Sequence, residues 1–361
     1  MNLNPADAKL CLSEALEICT VPAPTFSETE RAELVCKRLL EAGLPVARGA
    51  SGNVYCRIGG PGPAVVFAAH LDTVFPAETS IEPEQRDDGR ILAPGFADNS
   101  LGLAGLLLLA RKLVGAEMQT PVLLVATVGE EGLGNLRGAR EILEREEVRE
   151  FIAIEGIGLR DLVCSGPGSV RWRISASGPG GHSWSSRGQE SAVESLVNYL
   201  GIVATMRNDD LAVNIGQIRG GTGPSVIAAE AEALLEIRSL DPGQLERGEH
   251  VVLDVLGRVE ERSELDWKVE SLGRRPGGQG EKGELYRDLI RIREELGVEG
   301  EEIALSTDAN IAYAQGVPAV AIGLAEGGAL HSLEEWCDPA RLPEGLDLLL
   351  RLAQSRCQSS Q

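Results

Sequence analysis

Seven residues able to do metal or acid–base chemistry stand at or just beyond the ends of short apolar runs. His70-Leu71-Asp72 follows Val65 to Ala69 directly, Glu130 and Glu131 follow Val122 to Val128, and Glu155 follows Phe151 to Ile154. Asp98 lies in Gly95-Phe96-Ala97-Asp98-Asn99, ahead of a helix-like stretch, and His331 lies a few residues beyond Ala319 to Leu324. In an open α/β sheet the carboxyl ends of the strands line one edge, and ligands bind there. Five separate segments therefore deliver imidazoles and carboxylates to one crevice. Carboxylates crowded this closely raise one another's pKa, so they cannot all remain free anions. Two divalent cations would neutralise most of that charge. Imidazole and carboxylate donors without thiolate suit zinc, manganese or cobalt. Five candidate ligands, His70, Asp98, Glu131, Glu155 and His331, are too many for one open zinc site. They fit two ions that share a carboxylate.

The chain has four histidines. His70 and His331 share the strand-end context, and His182 lies in glycine-rich Gly180-Gly181-His182-Ser183. His250 falls inside a charged amphipathic helix and reads as structural.

The elements that must position these residues follow from periodicity. Ala6 to Ile18 and Glu28 to Ala42 carry apolar residues at helical spacing, with Thr25 or Ser27 as expected caps before the second. Ala64 to Ala69, Val122 to Val128 and Phe151 to Ile154 read as buried strands, and Leu101 to Val114 as a helix between the first two. This order predicts an α/β domain with a largely parallel sheet. The pattern changes near Gly166-Pro167-Gly168. Arg171 to Ala176 and Ala231 to Arg238 nearly alternate, as half-exposed strands do, and Leu265 to Val269 reads as a closing strand. Ser191 to Met206 and Leu245 to Val259 read as amphipathic helices. A small α+β module is thus expected over 166–272, inserted into a larger domain made of 1–165 and 273–361. In the returning part, Leu285 to Leu296 and Leu342 to Ala353 read as helices and Ala319 to Leu324 as a strand.

Composition excludes several classes. The net charge of -21 repels phosphate backbones and anionic lipid, so neither nucleic acid nor membrane is an expected partner. No apolar stretch is long enough to span a bilayer. Met1 to Pro5 has no signal-peptide character, and seven scattered cysteines form no C-x-x-C pair, so a cytoplasmic location is expected. Gly132 to Gly138 only superficially resembles a dinucleotide loop; its spacing is one residue too long, and two glutamates precede it where a pyrophosphate would be repelled.

Ala68-Ala69-His70-Leu71-Asp72-Thr73-Val74, Gly95-Phe96-Ala97-Asp98-Asn99, Gly129-Glu130-Glu131-Gly132 and Gly181-His182-Ser183 resemble the M20 family of metallopeptidases. So do Ser306-Thr307-Asp308-Ala309-Asn310 and Ala329-Leu330-His331-Ser332-Leu333-Glu334-Glu335, and the motifs occur in the family's order. The resemblance implies a zinc-exopeptidase-like catalytic domain and a ferredoxin-like lid that also forms a homodimer. It implies that His70 and Glu155 bind one zinc, that Glu131 and His331 bind the other, and that Asp98 bridges them. Asp72 would orient the ring of His70 from behind, and the peptide bond after Asp98 would be cis. A metal-activated water would attack an amide carbonyl, with Glu130 as general base. His182 would reach a partner subunit's active site, and Arg238 would grip a substrate carboxylate. Relatives commonly carry asparagine where this chain has Ser225, which puts substrate contacts there in doubt.

The implied activity is exopeptidase cleavage of small peptides, since the Ser306 to Asn310 and Ala329 to Trp336 segments look most like a peptidase-T-like branch. The alternatives are an N-acyl amino acid deacylase of the same family and, remotely, a non-catalytic metal-binding relative.

Overall fold

The structure is a computed structural model and describes residues 1–156 and 158–357; Ile157 and residues 358–361 of the expected catalytic portion lie outside the described residues. The chain divides into two compact units, one of residues 1–166 and 279–361, the other of residues 167–278.

In the first unit the buried strands run side by side because they are apolar on both faces. Ala64–His70 is buried at every position and lies between Val122–Thr127 and Val148–Glu155, parallel to both. Ala319–Gly323 adds next to Val148–Glu155, again parallel. Val54–Ile58 pairs antiparallel with Val122–Thr127, and the two-residue strand Ala47–Arg48 pairs antiparallel beyond it. Such continuous apolar runs are what a parallel sheet covered on both faces requires.

Alternate strand residues feed two separate cores. Val65, Phe67, Leu124, Ile152 and Ile322 face the helices Pro5–Cys19, Thr29–Glu41, Leu101–Leu113, Glu284–Glu295 and Leu342–Cys357. Val66, Leu123, Val125, Phe151 and Ala321 face the helices Arg137–Arg145 and Ala309–Ala314. The first helix is capped by Asn4, whose side chain accepts the amides of Ala6 and Asp7 while Asp7 returns the bond. The second helix departs from expectation. Its cap position is Glu28, with no side-chain cap bond, and the hydroxyl of Thr25 is used elsewhere, on Asp72.

The second unit is built in the order β-α-β-β-α-β. Its antiparallel sheet runs Ala212–Gly220, Glu230–Ser239, Gly168–Ser177, Asp266–Arg275, with the helices Ala192–Ala204 and Pro242–Glu260. This is the ferredoxin-like arrangement. Ala231, Ala233, Leu235 and Ile237 point together into its core, as their alternation requires. The last strand continues past the expected boundary at residue 272, because Gly273, Arg274 and Arg275 still pair with Arg171, Val170 and Ser169.

Helix Leu342–Cys357 meets the end of the last parallel strand at Gly345, where an added Cβ would sit 2.6 Å from the carbonyl carbon of Leu324. Overpacking of this kind costs about 1–3 kcal/mol, more than the roughly 1 kcal/mol that alanine gains over glycine inside a helix. Gly345→Ala is expected to lower the thermal midpoint; an unchanged midpoint in differential scanning calorimetry would contradict this packing.

Candidate metal centre

Adjacent parallel strands set the first two donors. His70 ends Ala64–His70 and Glu155 ends Val148–Glu155, so both reach the same sheet edge. Glu130 and Glu131 follow Val122–Thr127 on the other side of His70. Asp98 comes from the 96–100 segment ahead of helix Leu101–Leu113, where its backbone is non-helical and its peptide bond to Asn99 is cis. The Asn99 amide ties this segment to the neighbouring strand by donating to the carbonyl of Ile154 at 2.7 Å. His331 sits on the loop between the short strands Glu326–Gly328 and Trp336–Asp338, with φ of 63°.

These side chains meet. His70 Nε2 lies 2.8 Å from Asp98 Oδ1 and 3.5 Å from Glu155 Oε2. His331 Nε2 lies 3.1 Å from Asp98 Oδ2 and 3.0 Å from Glu131 Oε1. The two oxygens of Asp98 thus face two different imidazoles, each accompanied by a second carboxylate. Zinc–nitrogen and zinc–oxygen bonds of about 2.0–2.2 Å place neighbouring tetrahedral donors roughly 3.3 Å apart. The observed separations match that spacing on both sides of Asp98. The donor set therefore fits two cations sharing Asp98.

The electrostatics agree. Burial works against ionisation of Asp98, but hydrogen bonds from His331 and His70 outweigh it and hold its carboxyl well below the usual range. Burial likewise works against the charged form of His70, and the carboxylates of Asp98 and Glu155 raise it well above its ordinary value. His331 is raised to about 10 by Asp98 and then Glu131. Glu155 is pushed up, by burial first. Each imidazole is drawn toward the cationic form by its carboxylates, which is the environment a bound cation exploits.

Asp72 is placed differently from its implied role. The Nδ1 of His70 bonds to the backbone carbonyl of Asp72 at 2.9 Å, while the carboxylate stands 3.8 Å away. Its oxygens are already committed: they accept the amides of Glu130 at 3.0 Å and Glu131 at 2.9 Å, and the hydroxyl of Thr25 at 2.9 Å. Asp72 still fixes the ring through its carbonyl, and its side chain anchors the turn that carries Glu130 and Glu131. Glu130 is 6% exposed, beside Glu131.

Two further residues support the site, and periodicity could not mark either. Asp308 is fully buried, accepts the hydroxyl of Thr127 at 2.6 Å, and is raised to about 7 by burial and then by Glu155. Arg31 is fully buried and donates to the carbonyls of Val21 and Leu71, next to His70. It is a fixed positive charge near Asp72.

The remaining candidates lie in the second unit. His182 is exposed, pairs through its backbone with Val226, and its Nδ1 accepts the amides of Trp184 at 3.1 Å and Ser185 at 3.5 Å. The neutral ring therefore carries its proton on Nε2. Ser225 is exposed and its carbonyl accepts the amide of Ser183 at 3.0 Å, so it lies beside His182. Arg238 stands apart, on the polar face of strand Glu230–Ser239, with its Nε donating to Glu236 at 2.8 Å.

A doubly covered parallel sheet whose strand ends gather paired imidazole and carboxylate donors defines a metal-dependent hydrolase. The model of peptidase family M20/M25/M40 matches residues 66–355, and the chain belongs to that family. It is similar to the succinyl-diaminopimelate desuccinylase of Bordetella bronchiseptica, 27% identical over 73% of this chain and 76% of that protein. Its fold is similar to a tripeptidase from Staphylococcus aureus, with TM-score 0.81 and 22% identity over 96% of this chain and 97% of that one. The aminopeptidase PepT from Bacillus cereus is also similar, with TM-score 0.77 and 21% identity over 96% and 97% of the two chains.

The shared carboxylate depends on a close approach. A Cβ added at Gly156 would lie 2.5 Å from the Cβ of Asp98 and 2.6 Å from its Cα. Gly156→Ala is expected to displace Asp98 and to weaken metal binding at least about tenfold, as loss of a supporting contact typically does. Titration against a chromogenic chelator checks this, and wild-type affinity in the variant would refute it.

Proposed function

We propose that the chain is a dinuclear exopeptidase of small peptides, with residues 1–166 and 279–361 as its catalytic part and 167–278 as its lid. The observation that carries this reading is Asp98, one carboxylate whose two oxygens face His70 and His331. His70 and Glu155 would hold one ion, Glu131 and His331 the other, with Asp98 shared. Zinc suits these donors, and cobalt or manganese would substitute. When bound, the ions supply Lewis acidity, making water a nucleophile near neutral pH and polarising the amide carbonyl.

The chain's own residues do the rest. Glu130 accepts the proton of the attacking water and passes it to the leaving amine. Its position is supported by the bond from its amide to Asp72. His182 presents Nε2–H as a donor to the developing oxyanion, in a homodimer formed through the lid and acting on the partner subunit's site. Arg238 holds a substrate carboxylate with its guanidinium, and Ser225 contacts the substrate near His182. The cysteines are free thiols, which suits the reducing cytoplasm. Among the described residues no helix is long and apolar enough to cross a membrane.

A second reading is supported by the desuccinylase similarity: release of an amino acid from an N-acyl compound. A panel of substrates blocked at one end at a time, run with zinc, cobalt or manganese, separates the two. Cleavage of free di- and tripeptides supports the exopeptidase, with loss on N-acylation marking recognition of the amino end and loss on C-terminal amidation marking recognition of the carboxyl end; cleavage only of N-acyl amino acids supports the deacylase.

Glu130→Gln keeps the side-chain shape and removes the base. It is expected to lower kcat by about 10²–10⁴-fold or more while two metals per chain remain bound. Elemental analysis alongside steady-state rates reads both quantities, and near wild-type turnover would remove Glu130 from this role.

A further inference from the structure

The 96–100 segment is held only in part by its own backbone: the amides of Ser100 and Leu101 donate to the carbonyls of Gly95 and Phe96, and the residues between depart from helical geometry. Asp98 has φ -117° and ψ 90°, Asn99 has φ -138° and ψ 37°, and Gly95 before them is left-handed at φ 73°. Backbone amides in such a segment need acceptors from elsewhere. Three of them find the same one. Glu335 Oε2 accepts the amide of Gly95 at 3.0 Å, and Glu335 Oε1 accepts those of Ala97 at 2.9 Å and Asp98 at 3.1 Å. The Glu335 backbone carbonyl also accepts the amide of Ala93 at 3.0 Å.

Glu335 is fully buried and lies close to Asp98, where a further anion is electrostatically unfavourable. A carboxylate is nevertheless the group the geometry demands. Three amides approach both of its oxygens, and a glutamine would turn an N–H donor toward one of them. Glu335 is also four residues from His331, on the same hairpin. One short segment thus carries a histidine that faces Asp98 and the anchor for the loop on which Asp98 sits.

We propose that Glu335 is a positioning residue for the dinuclear centre, holding the Asp98 loop so that one oxygen faces His70 and the other His331. The inference rests on the reading of Asp98 as the ligand shared by two ions. Both Glu335 oxygens are engaged by the amides of Gly95, Ala97 and Asp98, so it acts through the backbone of residues 95–98.

The test compares the wild-type protein with Glu335→Gln and Glu335→Asp, all loaded with cobalt(II) after metal removal. Glu335→Gln keeps the reach and loses an acceptor; Glu335→Asp keeps the charge and withdraws it by one methylene, so a folded form of either variant suffices. Stoichiometry, affinity by chelator competition and the visible cobalt spectrum are read below the melting midpoint, with circular dichroism confirming native structure. The wild type is expected to bind two ions. The variants are expected to bind them ten- to a hundredfold more weakly, with an altered spectrum. A change in melting midpoint with affinity and spectrum unaltered assigns Glu335 a merely structural role and overturns the proposal. A wild type that binds fewer than two ions overturns instead the shared-ligand reading beneath it.

Discussion

Negative charge in a small buried volume is the constraint on which the catalytic unit depends. Asp72, Glu130, Glu131, Glu155 and Asp308 are buried at or behind one sheet edge, and Asp98 is nearly so. Burial and mutual repulsion both push a carboxyl's pKa up, and those of Asp308 and Glu155 are raised in this way. That of Asp98 is not, because two imidazoles face it. The parallel sheet creates the problem by aligning strand ends, and it also supplies the remedy by spacing His70 between the acids of the strands on either side.

The buried acids divide by what they face. Asp98, Glu131 and Glu155 face imidazole nitrogens. Asp72, Glu335 and Glu28 face backbone amides: Glu28 Oε1 accepts those of Phe26 and Gly129 and is paired with Arg137 at 2.7 Å. Each of the second group holds a loop that carries one of the first group or Glu130. Loops built with exposed amides would need water or acceptors from their own backbone. Here acidic side chains are the acceptors, so the same residue type serves both at the candidate metal centre and as its support.

This division explains what could be read from sequence. Strand-end placement depends only on apolar runs, so His70, Glu131, Glu155 and His331 could be brought to one edge from position, with Asp98 ahead of its helix, and the M20 resemblance then divided them into roles. The direction in which a carboxylate points was not legible. Asp72 was expected to hold the ring of His70 through its side chain, but the two amides that follow Gly129 take its oxygens and leave the ring to its carbonyl. Glu335 stood in a motif with no role, since nothing in its spacing distinguishes an acceptor for distant amides from a surface acid. Thr25 or Ser27 was expected to cap the second helix, but the cap position is Glu28 and the Thr25 hydroxyl donates to Asp72 instead. Among elements, strand Ala212–Gly220 was missed because most of its residues are exposed and leave no alternation to detect.

The second unit repeats the logic of charge under constraint on an open surface. Arg238 and Arg171 both bond Glu236, at 2.8 and 2.6 Å, on the polar face of the lid sheet. Glu236 is held below its ordinary value by these two arginines, which outweigh its burial. A carboxylate brought to Arg238 must therefore compete with, or share, an internal one. A guanidinium can do both, since its Nε edge and its terminal nitrogens present separate donors. The internal partner fixes the Nε edge and limits the rotamers of a long side chain, so the ordering cost of engaging a second carboxylate falls. Preorganisation by Glu236 thus trades some electrostatic attraction for geometry.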